Sequence, residues 1–85
     1  MSTVRKLNES ALRGIYDAYM HEAFPPAELK PLAVMLRLME RGRYLCYGYY
    51  RNGRLAAYAF FYRHDSRVLL LDYFAVTPEL RGRGV

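Results

Sequence analysis

The pair Asn52-Gly53 stands between two aromatic runs, Tyr44-Leu45-Cys46-Tyr47-Gly48-Tyr49-Tyr50-Arg51 and Arg54-Leu55-Ala56-Ala57-Tyr58-Ala59-Phe60-Phe61-Tyr62. No other feature constrains the fold as tightly. Both central positions of a two-residue hairpin need positive φ, which Asn and Gly adopt at little cost, so the pair predicts a tight β-hairpin. A polar turn at Arg63-His64-Asp65-Ser66 precedes a third long strand, Arg67 to Val76. Its run Val68-Leu69-Leu70-Leu71 predicts a central place in the sheet, and its one internal charge is Asp72. Most of the nine Tyr and four Phe fall between Tyr44 and Phe74. Amphipathic Tyr can cover the periphery of a small domain, which buries only about 60% of its chain surface at 60 residues.

Upstream the period is helical. Val4 to Leu7 reads as a short first strand, and Asn8 as an N-cap whose side-chain oxygen takes an N–H of the first turn. Glu9 suits the positive end of that helix. Leu12, Ile15, Tyr16, Tyr19 and Ala23 then recur at helical spacing and predict an amphipathic helix to about His21, weakened by Gly14. Phe24-Pro25-Pro26 ends it, because proline offers no N–H and drives its predecessor toward extended geometry. A second helix is predicted from near Pro31 through Leu32, Met35, Leu36 and Met39 to Arg41, with Gly42 as its C-cap. The two methionines read as core filler. The predicted fold is α/β: a mixed, mainly antiparallel sheet flanked by helices, in the order β-α-α-β-β-β.

With 85 residues, 53% hydrophobic and 25% charged, disorder is excluded, and the absence of repeats or linkers predicts one domain over residues 1–85. Thirteen Lys and Arg against eight Asp and Glu give a net charge of +5, and eleven of the thirteen bases are Arg. Arg suits bidentate contacts to phosphate or carboxylate, so an anionic ligand is expected. The one cysteine, Cys46, cannot close an internal disulfide or build a metal site, and it reads as a buried reduced thiol. The first residues, Met1-Ser2-Thr3-Val4-Arg5-Lys6, lack the apolar core of a signal peptide. No apolar run approaches the roughly 20 residues of a membrane span. The expected location is cytoplasmic, with no membrane partner.

The third strand runs without a gap into Thr77-Pro78-Glu79-Leu80-Arg81-Gly82-Arg83-Gly84-Val85. Glycines let backbone approach a phosphate and converge several N–H groups on it, and a loop at the carboxyl end of a buried strand is where open sheets bind ligands. The run Ala75-Val76-Thr77-Pro78-Glu79-Leu80-Arg81-Gly82-Arg83-Gly84-Val85 resembles the acetyl-CoA signature of the GNAT superfamily of N-acetyltransferases: a strand ending in Ala-Val-x-Pro, two residues, then Arg-x-x-Gly-x-Gly or Ala. Arg81 and Gly84 match the Arg and the first obligatory Gly. The order of elements and the stretch Phe24-Pro25-Pro26-Ala27-Glu28-Leu29-Lys30-Pro31 also resemble the family.

The resemblance implies that main-chain N–H groups of Arg81, Gly82, Arg83, Gly84 and Val85 hold the coenzyme A pyrophosphate. It implies that the pantetheine arm pairs with Phe74, Ala75 and Val76, where a backbone N–H polarises the thioester carbonyl. Transfer needs a neutral amine, a general base and a donor to the leaving thiolate. The Glu that serves as base in protein-acetylating members falls here on Leu70, which leaves Asp72 as the candidate. A lone carboxylate in an apolar strand gains proton affinity by desolvation unless it is paired, and an Asp satisfied by an Arg or a backbone N–H is the competing reading. His64 and Asp65 read as turn residues and His21 as a cation at a helix terminus. Tyr19, Phe24 or Glu28 would line an acceptor pocket. The last small residue of the signature, the Tyr that protonates the thiolate, and the next helix and strand would all follow Val85. The chain therefore reads as the amino-terminal portion of an acetyltransferase, inactive by itself, with an unknown amine as acceptor.

Other functions compete. The same fold serves acyltransferases with longer acyl donors. A non-catalytic assembly module would use its exposed edge strand to pair with a second copy or a complementing chain. Nucleic-acid binding through Arg41, Arg43, Arg51, Arg54, Arg63 and Arg67, opposed locally by Asp65, is set aside for a solvated basic face, because no RNA-binding signature accompanies the charges.

Overall fold

A computed structural model describes residues 1–78. Strand β1 (Ser2–Lys6) leads into helix α1 (Glu9–Ile15), a π-helical stretch (Tyr16–Met20) and a last α-helical turn, α2 (His21–Ala23). Helix α3 (Leu32–Glu40) and strands β2 (Tyr44–Arg51), β3 (Arg54–Arg63) and β4 (Leu69–Val76) follow. The four strands lie in the order β1-β2-β3-β4, every pairing antiparallel. The α/β class and the element order agree with the expectation from sequence.

Local chemistry explains the boundaries. The Asn8 side chain accepts from the Ala11 N–H at 2.9 Å, which caps α1. Phe24 is extended at φ −132°, ψ 140°, and the helix stops before the two prolines. Gly42 follows α3 at φ +72°, the left-handed conformation expected of a C-cap. At the hairpin tip Arg51 opposes Arg54, and Asn52 and Gly53 take φ +52° and +81°.

The core lies between the helices and one face of the sheet. Leu12, Ile15, Tyr16 and Met20 from the first helical segment and Met35 from α3 pack against Tyr44, Cys46, Tyr58, Phe60 and Tyr73. Successive strand side chains alternate between faces, so Tyr47, Tyr49, Ala57, Ala59 and Phe74 line the opposite face, over a recess of about 160 Å³.

Two details differ from the expectation. The first strand ends at Lys6, and Leu7 turns inward, its N–H donating to the Cys46 carbonyl at 2.7 Å. Among the described residues β4 is an edge strand rather than a central one, and Leu69, Leu70 and Leu71 are exposed. A continuous apolar run signals that both faces can be covered, but it does not say by what.

Candidate active site

The register of β3 against β4 slips by one residue. Phe60 opposes Tyr73 while Phe61 opposes Leu71, so Asp72 is an extra residue in β4, a β-bulge. A bulge breaks the alternation of side chains, and here two consecutive residues reach the helical side of the sheet. Tyr73 is buried there, and Asp72 beside it is half-buried.

Both residues meet the segment between α2 and α3. Asp72 Oδ2 accepts the Tyr44 hydroxyl at 2.5 Å and pairs with Lys30 Nζ at 3.2 Å. No bond reaches Oδ1 among the described residues, and about a quarter of the side chain is exposed. The Tyr73 hydroxyl donates to the Glu28 carbonyl at 2.6 Å and accepts the Lys30 N–H at 2.7 Å. The Lys30 carbonyl accepts the Tyr16 hydroxyl at 2.9 Å, and Phe24 sets its ring edge-on to Tyr73 at 4.8 Å.

Asp72 is thus paired by a Lys and a phenol rather than by an Arg or a backbone N–H. Lys30, Tyr44 and Tyr73 carried no signal in the sequence beyond the need of a carboxylate in an apolar strand for partners. Burial, then the hydrogen bond and charge of Asp72, push the Tyr44 phenol up, so it stays a protonated donor. Burial and, behind it, the Asp72 charge push the Cys46 thiol up to about 12, which makes it the inert interior thiol the sequence suggested.

Phe74, Ala75 and Val76 face Ala59, Tyr58 and Ala57 of β3. The Thr77 N–H donates back to Ala56 at 2.9 Å and its hydroxyl bonds the Leu55 and Ala56 carbonyls, fixing the carboxyl end of the strand. Because antiparallel ladders alternate, the N–H groups of Phe74 and Val76 then turn to the other edge, where no strand pairs among the described residues. Arg81, Gly82, Arg83, Gly84 and Val85 lie outside the described residues.

The remaining candidates scatter. Tyr19 packs against the core, Glu28 is exposed, and His21 stands edge-on to Tyr16 at 4.9 Å. Asp65 Oδ1 accepts the Arg67 and Val68 N–H groups, the turn role expected of it. The hairpin arginines split between the two ends of the sheet, Arg51 and Arg54 at one and Arg43 and Arg63 at the other. Among the described residues no helix is long and apolar enough to cross a membrane.

A model of the acetyltransferase (GNAT) family matches residues 10–85. No curated protein matches the chain. Among solved structures it is similar to the ribosomal-protein-S18-alanine N-acetyltransferase from Escherichia coli, with a TM-score of 0.69 and 24% identity over 99% of this chain and 51% of that one. The chain spans about half the length of that structure, and the likeness is one of fold.

Proposed function

The chain belongs to the acetyltransferase (GNAT) family, and on that premise we propose that it serves transfer of an acetyl group from acetyl-CoA to a primary amine. In this reading the Phe74 and Val76 N–H groups at the open edge of β4 receive the pantetheine arm, and one of them polarises the thioester carbonyl. Arg81, Gly82, Arg83, Gly84 and Val85 supply the main-chain donors and charge for the pyrophosphate. The amine nitrogen bonds to the carbonyl carbon as the carbon–sulfur bond breaks. Asp72 takes the amine proton through Oδ1, directly or by way of a water, and the thiolate takes a proton from an acid that the described residues do not supply. The observation that carries the reading is one short stretch of β4 offering outward N–H groups at Phe74 and Val76 next to a carboxylate anchored by one oxygen.

Calorimetric titration with acetyl-CoA tests it, with acetylated pantetheine as the control that lacks the nucleotide. Binding that needs the pyrophosphate and weakens at least tenfold in Arg81→Ala/Arg83→Ala is the expected result. Free thiol release with a peptide bearing a free α-amine and with spermidine then separates protein-like from small acceptors. No binding by this chain, nor by a version extended through the next helix and strand, would overturn the reading. The exposed Leu69, Leu70, Leu71 and Phe74 along β4 favour one other role, an assembly module that pairs through this edge. Concentration-dependent dimerisation without acetyl-CoA binding would identify it.

A further inference from the structure

We infer that Lys30 is a positioning residue that orients Asp72, an inference that rests on the acetyl-transfer reading. Lys30 joins three elements. Its carbonyl accepts the Tyr16 hydroxyl of the π-helical stretch, its N–H donates to the Tyr73 hydroxyl of β4, and its ammonium lies 3.2 Å from Asp72 Oδ2. The two backbone bonds fix where the Lys30 Cα stands, so the four-carbon stem delivers its charge to one oxygen of the bulged carboxylate.

The Tyr44 hydroxyl reaches that same oxygen from the sheet side at 2.5 Å. A carboxylate held by a single hydrogen bond can still turn about its Cβ–Cγ bond. Two donors converging on Oδ2 from different elements hold that oxygen in place and leave Oδ1 without a partner among the described residues. Both partners of the ion pair keep roughly a quarter to a third of their side chains exposed. The pair is therefore neither a solvent-screened surface contact nor a fully buried one, and its use lies in direction more than in stability. A base needs that direction, because a proton is transferred only across hydrogen-bond distance and in line.

Lys30→Met isolates the ammonium, since it keeps an unbranched stem of about the same length without the charge and leaves the backbone bonds to Tyr16 and Tyr73 in place. In a version of the chain extended through the next helix and strand of the fold, expected are an acetyl-CoA affinity within twofold of wild type, an unchanged KM for acetyl-CoA, and a kcat for amine acetylation at least tenfold lower. Lys30→Arg should recover most of the loss. Wild-type kcat in Lys30→Met, or an equal fall in affinity and kcat that Arg does not rescue, would overturn the positioning role while leaving acetyl transfer intact. Failure of the extended wild-type protein to bind acetyl-CoA would overturn the parent reading instead.

A second measurement needs no acceptor. The Tyr44 hydroxyl proton, shared with Asp72, should give a resolved, slowly exchanging resonance in wild type and Lys30→Arg. That resonance should broaden by exchange in Lys30→Met as the carboxylate gains orientations. An identical resonance in all three proteins would show that Asp72 is held without Lys30.

Discussion

Tyr73→Phe removes two hydrogen bonds and nothing else. The ring is 6% exposed and phenylalanine has the same shape, so no cavity opens and the edge contact to Phe24 survives. What disappears is the donor to the Glu28 carbonyl at 2.6 Å and the acceptor for the Lys30 N–H at 2.7 Å. Each bond is worth about 0.5–1.5 kcal/mol net, and stranding a backbone group away from water adds to that. Glu28 lies at the surface, where water can replace the lost donor, whereas Lys30 is partly shielded. A loss of about 2 kcal/mol follows, roughly a thirtyfold change in the folding equilibrium. For a chain of this size that lowers the melting midpoint by about 8–16 °C. Urea unfolding should show the midpoint falling at constant slope, because the surface exposed on unfolding does not change. Hydrogen exchange gives the local test: the Lys30 amide should lose its protection while the amides of β2 and β3 keep theirs relative to global unfolding. A change below about 0.5 kcal/mol with the Lys30 amide still protected would mean that Tyr73 is not what holds this segment to the sheet.

Gly48 faces the core with no room for a methyl group: a Cβ would stand 2.9 Å from Tyr50 Cε1, 3.1 Å from Leu55 Cδ1 and 3.2 Å from Leu7 Cδ2. Gly48→Ala should therefore cost about 1–2 kcal/mol, the lower part of the overpacking range because side-chain tips can yield, and an unchanged urea midpoint would refute the crowding. The Cys46 thiol is raised from 9.0 to about 12 in the folded chain, so the unfolded state loses its proton first. Stability present below pH 9 should decline as pH rises toward 12, by up to about 1.4 kcal/mol per pH unit, and the raised Tyr44 phenol adds to the decline with the same sign. Urea midpoints from pH 7 to 11 measure it; a flat profile would contradict the burial, and Cys46→Ala should remove the cysteine's share.

Much of the architecture was legible because it is written locally. Asn52-Gly53, the Asn8 cap and the Pro25-Pro26 stop each act within a few residues, and each appears where the sequence placed it. Asp72 was legible as an anomaly, a charge inside an apolar strand, but its partners were not. Lys30 and Tyr44 lie 42 and 28 positions away in sequence, and nothing short of the register brings them together. The π-helical stretch Tyr16–Met20 escaped for a related reason, since apolar positions at 12, 15, 16, 19 and 23 fit a plain α-helix equally well. The run Val68-Leu69-Leu70-Leu71 reports what a strand can bury against and not which neighbour it has, and among the described residues it lies at the edge of the sheet.

The bulge joins these observations. In a regular strand Asp72 and Tyr73 would point to opposite faces, and only one of them could reach the segment that carries Glu28 and Lys30. The inserted residue turns both to that side, so Tyr73 fixes the backbone of the segment while Asp72 receives its charge. From Tyr73 onward the ladder is regular again through Val76, which keeps the Phe74 and Val76 N–H groups on the open edge. Removing the extra residue without other change would send either the carboxylate or the phenol to the far face. The proposed site therefore requires that the strand have one residue more than its partner.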